Sequence, residues 1–583
     1  MREKNLFQSL QYVHKLAWRA SWNYYMAFLL LSIITSFRVW LSLSAVEKIT
    51  NSVYGLYENR IEIQTVALTI LFFGLAEILL GICDLLKEKS LLRLNNSMNL
   101  YAKGLLNKKL SSIKMDYFEV HTTMVKIHDV KTRMEDVFSK YVKSIATYLT
   151  VVPKIIFFSY YLSKINIFYV LIYVFLFVIF NVLMGNKYKN LWSYWDSVQE
   201  YDQKQQYYFG LCGDKVSHQE YKINRLYRYF SDIWEKAYDE CHKQRLRIFR
   251  KFEVHLQLSR IIFNIPYITM LLLIALEVAA GKQQIGFLIM ANSLLNYIID
   301  EYMSLQNNIL DNRTDSRTIT NYREVLEFED CENMTTDCLH GDIHIEIPQY
   351  SYPQSENVAL KNISLDIKEH EKIMIVGMNG SGKTTFVNIL TSLLSSNMGA
   401  VTVNGLPVSL KQSVACIFQD FYQYQLSIKE NILLGAPDRE ITEQELWEIL
   451  AMVGLDKKVE MFPHGMDTKL GQLDNQGDFS KGEWQRLAVA RLLAKRGASI
   501  WILDEPTAYL DPMSEIELYD MIYRCAGERL VIFISHRLGF APKTDRILVF
   551  HKGEIVEAGT HEELVKKEGE YFDMWSIQAE LYT

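Results

Sequence analysis

The stretch KIMIVGMNGSGKTTFVNIL, residues 372–390, decides how this chain folds. Residues 372–376 form an apolar run of buried-strand type, and from Thr385 onward the pattern is helical. Between them stand Gly377, Met378, Asn379, Gly380, Ser381, Gly382, Lys383 and Thr384. They match G-x-x-x-x-G-K-[ST] in the strand-to-helix setting this motif requires. Its glycines permit backbone angles that turn several N–H groups inward on phosphate oxygens. The helix N-terminus adds its dipole. Lys383 is placed to reach the terminal phosphates of a nucleoside triphosphate, and Thr384 to ligate Mg²⁺. An unspecialised glycine turn is the bland alternative, and the strand-loop-helix context disfavours it.

Working outward, SIWILDEPTAYLDP, residues 499–512, supplies the second phosphate element. A buried strand ends on Asp504, which can hold a Mg²⁺ shell. Glu505 follows, where a carboxylate can orient or deprotonate a water aimed at the terminal phosphate.

The N-terminal half is different. The chain has 583 residues, 49% of them hydrophobic, and the long apolar runs lie in the first half. Six segments suit spans of about 20 residues: 22–46, 66–86, 141–162, 165–186, 258–280 and 285–305. The third and fourth are joined by SKIN and the fifth and sixth by GKQQ, both tight hairpins. The long connections 87–140 and 187–253 are rich in Lys and Arg, whereas 47–63 carries only Lys48 and Arg60. With Arg2, Lys4, Lys15 and Arg19 ahead of the first span, the positive-inside tendency puts the N-terminus, the long connections and the C-terminal half in the cytoplasm. Both connections read as helix. They break only at MDYFEVHTTMV (115–125) and YFGLCGDKVS (208–217), tips that fit equally a short crossing helix docked on something and a simple helix-turn-helix with a core-packing aromatic. Among charges within the spans, Lys143 and Arg260 read as snorkelling ends, and Glu77 as the group facing a wet cavity. Arg38 and Lys154 are the others.

A net charge of −6 gives no basis for nucleic-acid binding, and seven scattered cysteines, of which Cys331 and Cys338 are nearest, read as reduced thiols. No cleavable signal sequence is expected. The domain division is 1–310 membrane, 311–341 polar linker and 342–583 nucleotide-binding.

The order of these motifs resembles the nucleotide-binding domain of ATP-binding cassette (ABC) transporters. Behind six spans it looks like a half-transporter of the exporter architecture, over essentially the whole chain. The resemblance implies an all-α polytopic membrane domain followed by an α/β P-loop ATPase. It also implies ATP and Mg²⁺ as nucleotide and metal, and a second half-transporter as partner in the lipid bilayer of the cytoplasmic membrane. By the same resemblance Tyr352 stacks on adenine, with Tyr350 as alternative. Gln419 links Mg²⁺ to the membrane domain, Asp511 crosses the dimer interface and His536 contacts the terminal phosphate. Thr385 completes the phosphate loop. The stretch DFSKGEWQRLAVAR, residues 478–491, aligns with the family's Leu-Ser-Gly-Gly-Gln signature, which caps nucleotide held by the opposite subunit. Ser480 and Gly482 are kept and Glu483 stands for Gln. Lys481 replaces a glycine, losing permissive backbone and adding a cation near a triphosphate. The altered signature favours a heterodimer over a homodimer. The cytoplasmic tips look like coupling helices. DFSKGEWQ and DEPTA resemble bacterial exporters of peptides, including lantibiotic and bacteriocin types, so a peptide is the expected substrate. Lipids or hydrophobic drugs are the alternative, as is a channel-like half that binds ATP without pumping. No peptidase domain is expected ahead of the spans, since no cysteine precedes Cys83.

Overall fold

The computed structural model describes residues 2–165, 175, 201–202, 204–211, 213, 215–331, 341–353, 355–394, 401–471, 477–506 and 512–582. They form two compact units: residues 1–108 with 126–327, and residues 109–125 with 328–583.

The first unit is helical. Helices Arg2–Ser36, Arg38–Tyr57, Ile63–Ser112, His121–Ile165, Tyr227–Ala279 and Ile285–Leu326 are its main members. The second and third are 20 and 50 residues long. The low Pro and Gly content of the long connections leaves nothing to stop them, as expected. Among the described residues, Phe7–Tyr57, Ile63–Ser112 and His121–Tyr160 are long and apolar enough to cross a membrane, and Tyr267–Ala279 is a shorter apolar helix. Nearly all of the expected span 165–186 lies outside the described residues, as do Cys338 and two positions of the second tip, 212 and 214. The last long helix carries Asp300 and Glu301, which lower its hydropathy. It buries Met290, Ala291, Leu294 and Leu295 against Leu43, Phe158, Met270 and Ile274.

Two expectations change. The first span is not one continuous helix: a turn at Phe37 separates Arg2–Ser36 from Arg38–Tyr57. Ser32, Thr35 and Ser36 donate their hydroxyls back to Phe28, Ser32 and Ile33 carbonyls, and such back-bonding competes with the helical ladder and bends it. The supposed linker from Asp311 begins as helix, which runs on to Leu326 because Ile319, Tyr322 and Val325 are buried. The segment 109–125, which contains the first tip, clusters with the nucleotide-binding unit. Its short helix Asp116–Glu119 is preceded by Lys109 and Lys114, ion-paired to Asp330 and Glu329 at 2.9 and 2.7 Å. Tyr117 stacks on Phe328 at 4.3 Å.

The charges inside the apolar segments also sort themselves. Arg38 donates to Glu77 at 2.8 Å and pairs with Asp84. Lys154 pairs with Glu301 at 2.8 Å. Arg38, Asp84, Lys87, Lys143 and Lys154 line a cavity of about 450 Å³. Lys143 therefore faces this cavity, contrary to the snorkelling expectation. The side chain of Arg260 lies outside the described set.

The second unit holds two sheets. An antiparallel sheet has the order β2-β1-β4-β5, with β1 (Ile343–Ser351) beside β2 (Val358–Ile367) and β4 (Val401–Val403), and β5 (Leu406–Pro407) at the edge. The other has the order β10-β9-β3-β8-β7-β6. In it β6 (Val414–Ile417), β7 (Ile500–Asp504), β8 (Leu530–Ile534), β3 (Lys372–Gly377) and β9 (Arg546–His551) are parallel. β10 (Glu554–Gly559) closes the edge antiparallel. Every residue of β3, β7 and β8 is buried, the continuous apolar pattern of parallel strands covered on both faces.

Candidate active site

Parallel pairing brings the motifs to one edge. Ile375 and Asp504 both pair with Ile534, and Ile417 pairs with Leu503. The carboxyl ends of β3, β8, β7 and β6 therefore lie side by side. These ends carry, in that order, the glycine loop, His536, Asp504 with Glu505, and Gln419. This is where open α/β sheets bind ligands.

The glycine loop leaves no room at two of its glycines. A Cβ on Gly377 would stand 2.3 Å from the Phe550 carbonyl oxygen, and Gly382 has φ +103° with Leu360 2.8 Å from such an atom. The helix Lys383–Leu390 starts directly behind. The Lys383 ammonium is buried and donates to the carbonyls of Gly377 and Met378 at 2.8 and 2.9 Å. Burial pushes its pKa down, opposed by Glu505 and Asp504. Asn379 and Gly380 lie at the loop crest, with Gly380 at φ +77°. Ser381 is buried, and its Oγ has no hydrogen-bond partner among the described residues. An orphaned buried hydroxyl in a glycine loop that opens a helix and carries a buried ammonium fits a phosphate group.

Thr384 Oγ1 donates to Asp504 Oδ2 at 3.3 Å. Gln419 Nε2 donates to Glu505 Oε2 at 3.0 Å, which leaves its amide oxygen available. Hydroxyl, carboxylate and amide oxygens suit a hard cation such as Mg²⁺. His536 Nδ1 lies 2.9 Å from Glu505 Oε1. A carboxylate only accepts, so this nitrogen carries the proton when Glu505 is ionised. Glu505 has φ +47°, a left-handed conformation uncommon for a non-glycine residue. That turn, with its N–H on the Ile534 carbonyl at 2.9 Å, holds the side chain between Gln419 and His536. The array is open on one side: the His536 side chain is 52% exposed and Gln419 is exposed.

Burial first, then the Glu505 charge, push the Asp504 carboxyl up to about 6, while Thr384 and Lys383 pull it down. The folded state thus holds this proton more tightly than the unfolded chain. The resulting stabilisation is full below about pH 3.9 and is lost as pH rises through about 6. At neutral pH the buried carboxylate costs on the order of 2–3 kcal/mol. Asp504→Asn is expected to raise the Tm of nucleotide-free protein at neutral pH by several degrees, and the gap to close as pH falls toward the ordinary carboxylate range. Thermal unfolding at the two pH values measures it, and a gap unchanged by pH contradicts the assignment.

Tyr352 hydroxyl and Thr385 Oγ1 are 3.0 Å apart, so the Tyr352 ring lies against the phosphate-loop helix. Tyr350 is buried in the sheet core and is no stacking platform. Ser480 caps the helix Lys481–Ala494: its Oγ accepts from Glu483 N at 3.3 Å, and its N donates to Glu483 Oε2 at 2.8 Å. Glu483 is thus engaged within its own turn. Lys481 takes the first helical position, exposed and without a positive φ, so the lysine does not strain this turn. Gly482 follows inside the first turn. Asp511 lies outside the described residues.

Two residues reach the site without a motif. Gly553 N donates to the Ser381 carbonyl at 2.9 Å, so the β9–β10 turn braces the phosphate loop. Gln578 hydrogen-bonds the backbone on both sides of Arg537. The Lys-Gly dipeptide predicts the first as a turn; nothing in the sequence predicts either contact.

The chain is similar to several known proteins. Residues 360–508 match the family described as ABC transporter. The nisin transport ATP-binding protein NisT of Lactococcus lactis subsp. lactis is 27% identical over 95% of this chain and 93% of its own length. The subtilin transport ATP-binding protein SpaT of Bacillus subtilis is 29% identical over 63% of this chain, a match that spans 61% of that protein. A putative multidrug export ATP-binding/permease protein of Staphylococcus aureus is 34% identical over 41% of each chain. A bacterial Atm1-family ABC exporter solved with ATP bound shares the fold, with TM-score 0.76, 18% identity, and coverage of 96% and 98% of the two chains.

Proposed function

We infer, from a chain that carries an ABC transporter ATPase domain fused behind an apolar helical domain of exporter fold, that it is one half of a membrane exporter of peptides driven by ATP hydrolysis. One observation carries this reading: Gln419, Glu505 and His536 form a hydrogen-bonded array on the strand ends beside Lys383, Thr384 and Asp504.

Each residue has a distinct task. The glycine-loop N–H groups, Ser381 and Lys383 hold the phosphates, and Tyr352 stacks on adenine. Thr384, Asp504 and Gln419 hold Mg²⁺, which when bound offsets the charge developing on the transferred phosphoryl group. Glu505 orients the attacking water and accepts its proton. His536 fixes the Glu505 carboxylate and reaches the terminal phosphate. The open face of the array supports a dimer, because hydrolysis needs that face covered and water admitted only at Glu505. Ser480 and Gly482 of a second half-transporter cover it, with Asp511 across the interface. ATP favours the closed pair by binding it more tightly than the open one, and this difference drives the passage from inward-facing to outward-facing. The chain spans the cytoplasmic membrane several times, with its N-terminus and ATPase domain in the cytoplasm. Its domains divide at the end of the helical unit.

A peptide substrate is supported by the similarity to NisT along nearly the whole chain, against a match of 41% of each chain to the multidrug protein. The charged lining of the cavity in the helical unit also suits a polar cargo better than a lipid or hydrophobic drug. Uptake of labelled peptides into inside-out vesicles, with and without ATP, tests this. Transport of lipids or drugs alone contradicts it.

Lys481 favours a heterodimer, since it would face the partner's nucleotide and the site built on this chain's Glu505 would then need an intact signature from the partner. The purified chain alone is expected to hydrolyse ATP weakly, and a co-expressed second half-transporter to raise turnover by about tenfold or more. Full turnover of the lone chain, unchanged by Lys481→Gly, contradicts this.

A further inference from the structure

We propose that Gln578, on the C-terminal helix Glu570–Tyr582, is a positioning residue for His536, so that this helix sets the geometry of hydrolysis. The proposal rests on the hydrolytic reading of Glu505 and His536 given above. Gln578 Nε2 donates to the His536 carbonyl at 2.6 Å, and Leu538 N donates to Gln578 Oε1 at 2.9 Å. One side-chain amide thus pairs with the backbone on both sides of Arg537, as a neighbouring strand would. The loop has left β8 here and, among the described residues, has no ladder partner of its own.

The helix is a firm base for this clamp. Tyr571 is fully buried and its hydroxyl lies 2.7 Å from His561 Nδ1. The Trp575 ring packs on His561 at 4.5 Å. The Glu557 carboxylate accepts from the N–H groups of Glu570 and Tyr571 at 3.0 and 3.1 Å, capping the helix start. On the loop, Arg537 N donates to Ser535 Oγ at 2.9 Å and its guanidinium pairs with Glu515, while Leu538 is buried. These contacts fix the flanks. Gln578 alone, among the described residues, holds the His536 carbonyl. Releasing it leaves the peptide unit between His536 and Arg537 on one bond, Arg537 N to Ser535 Oγ, and loosens the backbone that carries the imidazole, 2.9 Å from Glu505. The phosphate loop and Tyr352 are not touched, so nucleotide binding loses at most the one contact from His536 and changes little.

The full-length protein in lipid nanodiscs tests this by ATP hydrolysis per folded molecule. Gln578→Ala is expected to lower kcat about tenfold with KM for ATP unchanged within about twofold. Gln578→Glu keeps the shape and the acceptor for Leu538 N–H but turns an ionised oxygen on the His536 carbonyl. Its protonated form can donate there again. The charged and titratable neighbours on the loop, His536 with Glu505 and Arg537 with Glu515, are the same in both proteins. The ratio of variant to wild-type kcat is therefore expected to rise as pH falls from about 7 to about 5, toward the range in which a glutamate takes up its proton. A kcat for Gln578→Ala within about twofold of wild type, or a flat ratio for Gln578→Glu, overturns the proposal. Glu505→Gln in the same preparation separates the two claims: unaltered turnover there would overturn the hydrolytic reading itself.

Discussion

Glu505→Gln is expected to cut ATP turnover by about a thousandfold, roughly 4 kcal/mol of transition-state stabilisation, while KM for ATP stays nearly constant. The side chain is only 10% exposed and is held at both oxygens, by Gln419 at 3.0 Å and His536 at 2.9 Å. The amide has the same shape and fills the same gap, so the fold and the phosphate loop are undisturbed. It lacks the basicity to take a proton from water, and one of its two contacts now faces a donor. Single-turnover hydrolysis and equilibrium ATP binding on the same sample separate the two effects. Loss of binding in parallel with turnover would move Glu505 from catalysis to nucleotide retention.

Lys383→Ala is expected to weaken nucleotide binding by about a hundredfold or more, because a buried charge-assisted contact to phosphate is lost. Folding should respond in the opposite sense or not at all. Lys383 is buried and, among the described residues, its hydrogen-bond partners are two carbonyls; burial pushes its ammonium toward the neutral form. Removing a desolvated cation relieves that cost in the nucleotide-free state. Isothermal titration with ATP and a thermal melt without it give both numbers. A variant that binds ATP normally refutes the phosphate role, and one that is strongly destabilised shows the lysine to be a structural residue.

Much of this site is legible in the sequence for a definite reason. The glycine loop, Asp504 and Glu505 each follow a short apolar run, and a parallel sheet delivers successive strand ends to one edge. Periodicity therefore predicts proximity without the intervening distances. The helical unit is less legible. Hydropathy marks the apolar segments but not the break at Phe37, which arises from hydroxyl groups of Ser32, Thr35 and Ser36 bonding back to the helix. Polarity likewise misleads after Asp311, where buried Ile319, Tyr322 and Val325 extend a helix through sequence that reads as linker. Composition cannot show that Lys109 and Lys114 find Asp330 and Glu329, across more than two hundred residues of chain. Gln578 is invisible for the same reason: its partners are backbone atoms, and backbone atoms carry no sequence signature.

The central claim is that two half-transporters close on nucleotide held at this edge. Protein carrying Glu505→Gln, isolated from the membranes of its own cells and supplied with ATP and Mg²⁺, tests it most directly by native mass measurement. A two-subunit particle with trapped ATP, whichever half-transporter is the partner, is the predicted result. A single-subunit particle at saturating ATP would contradict it.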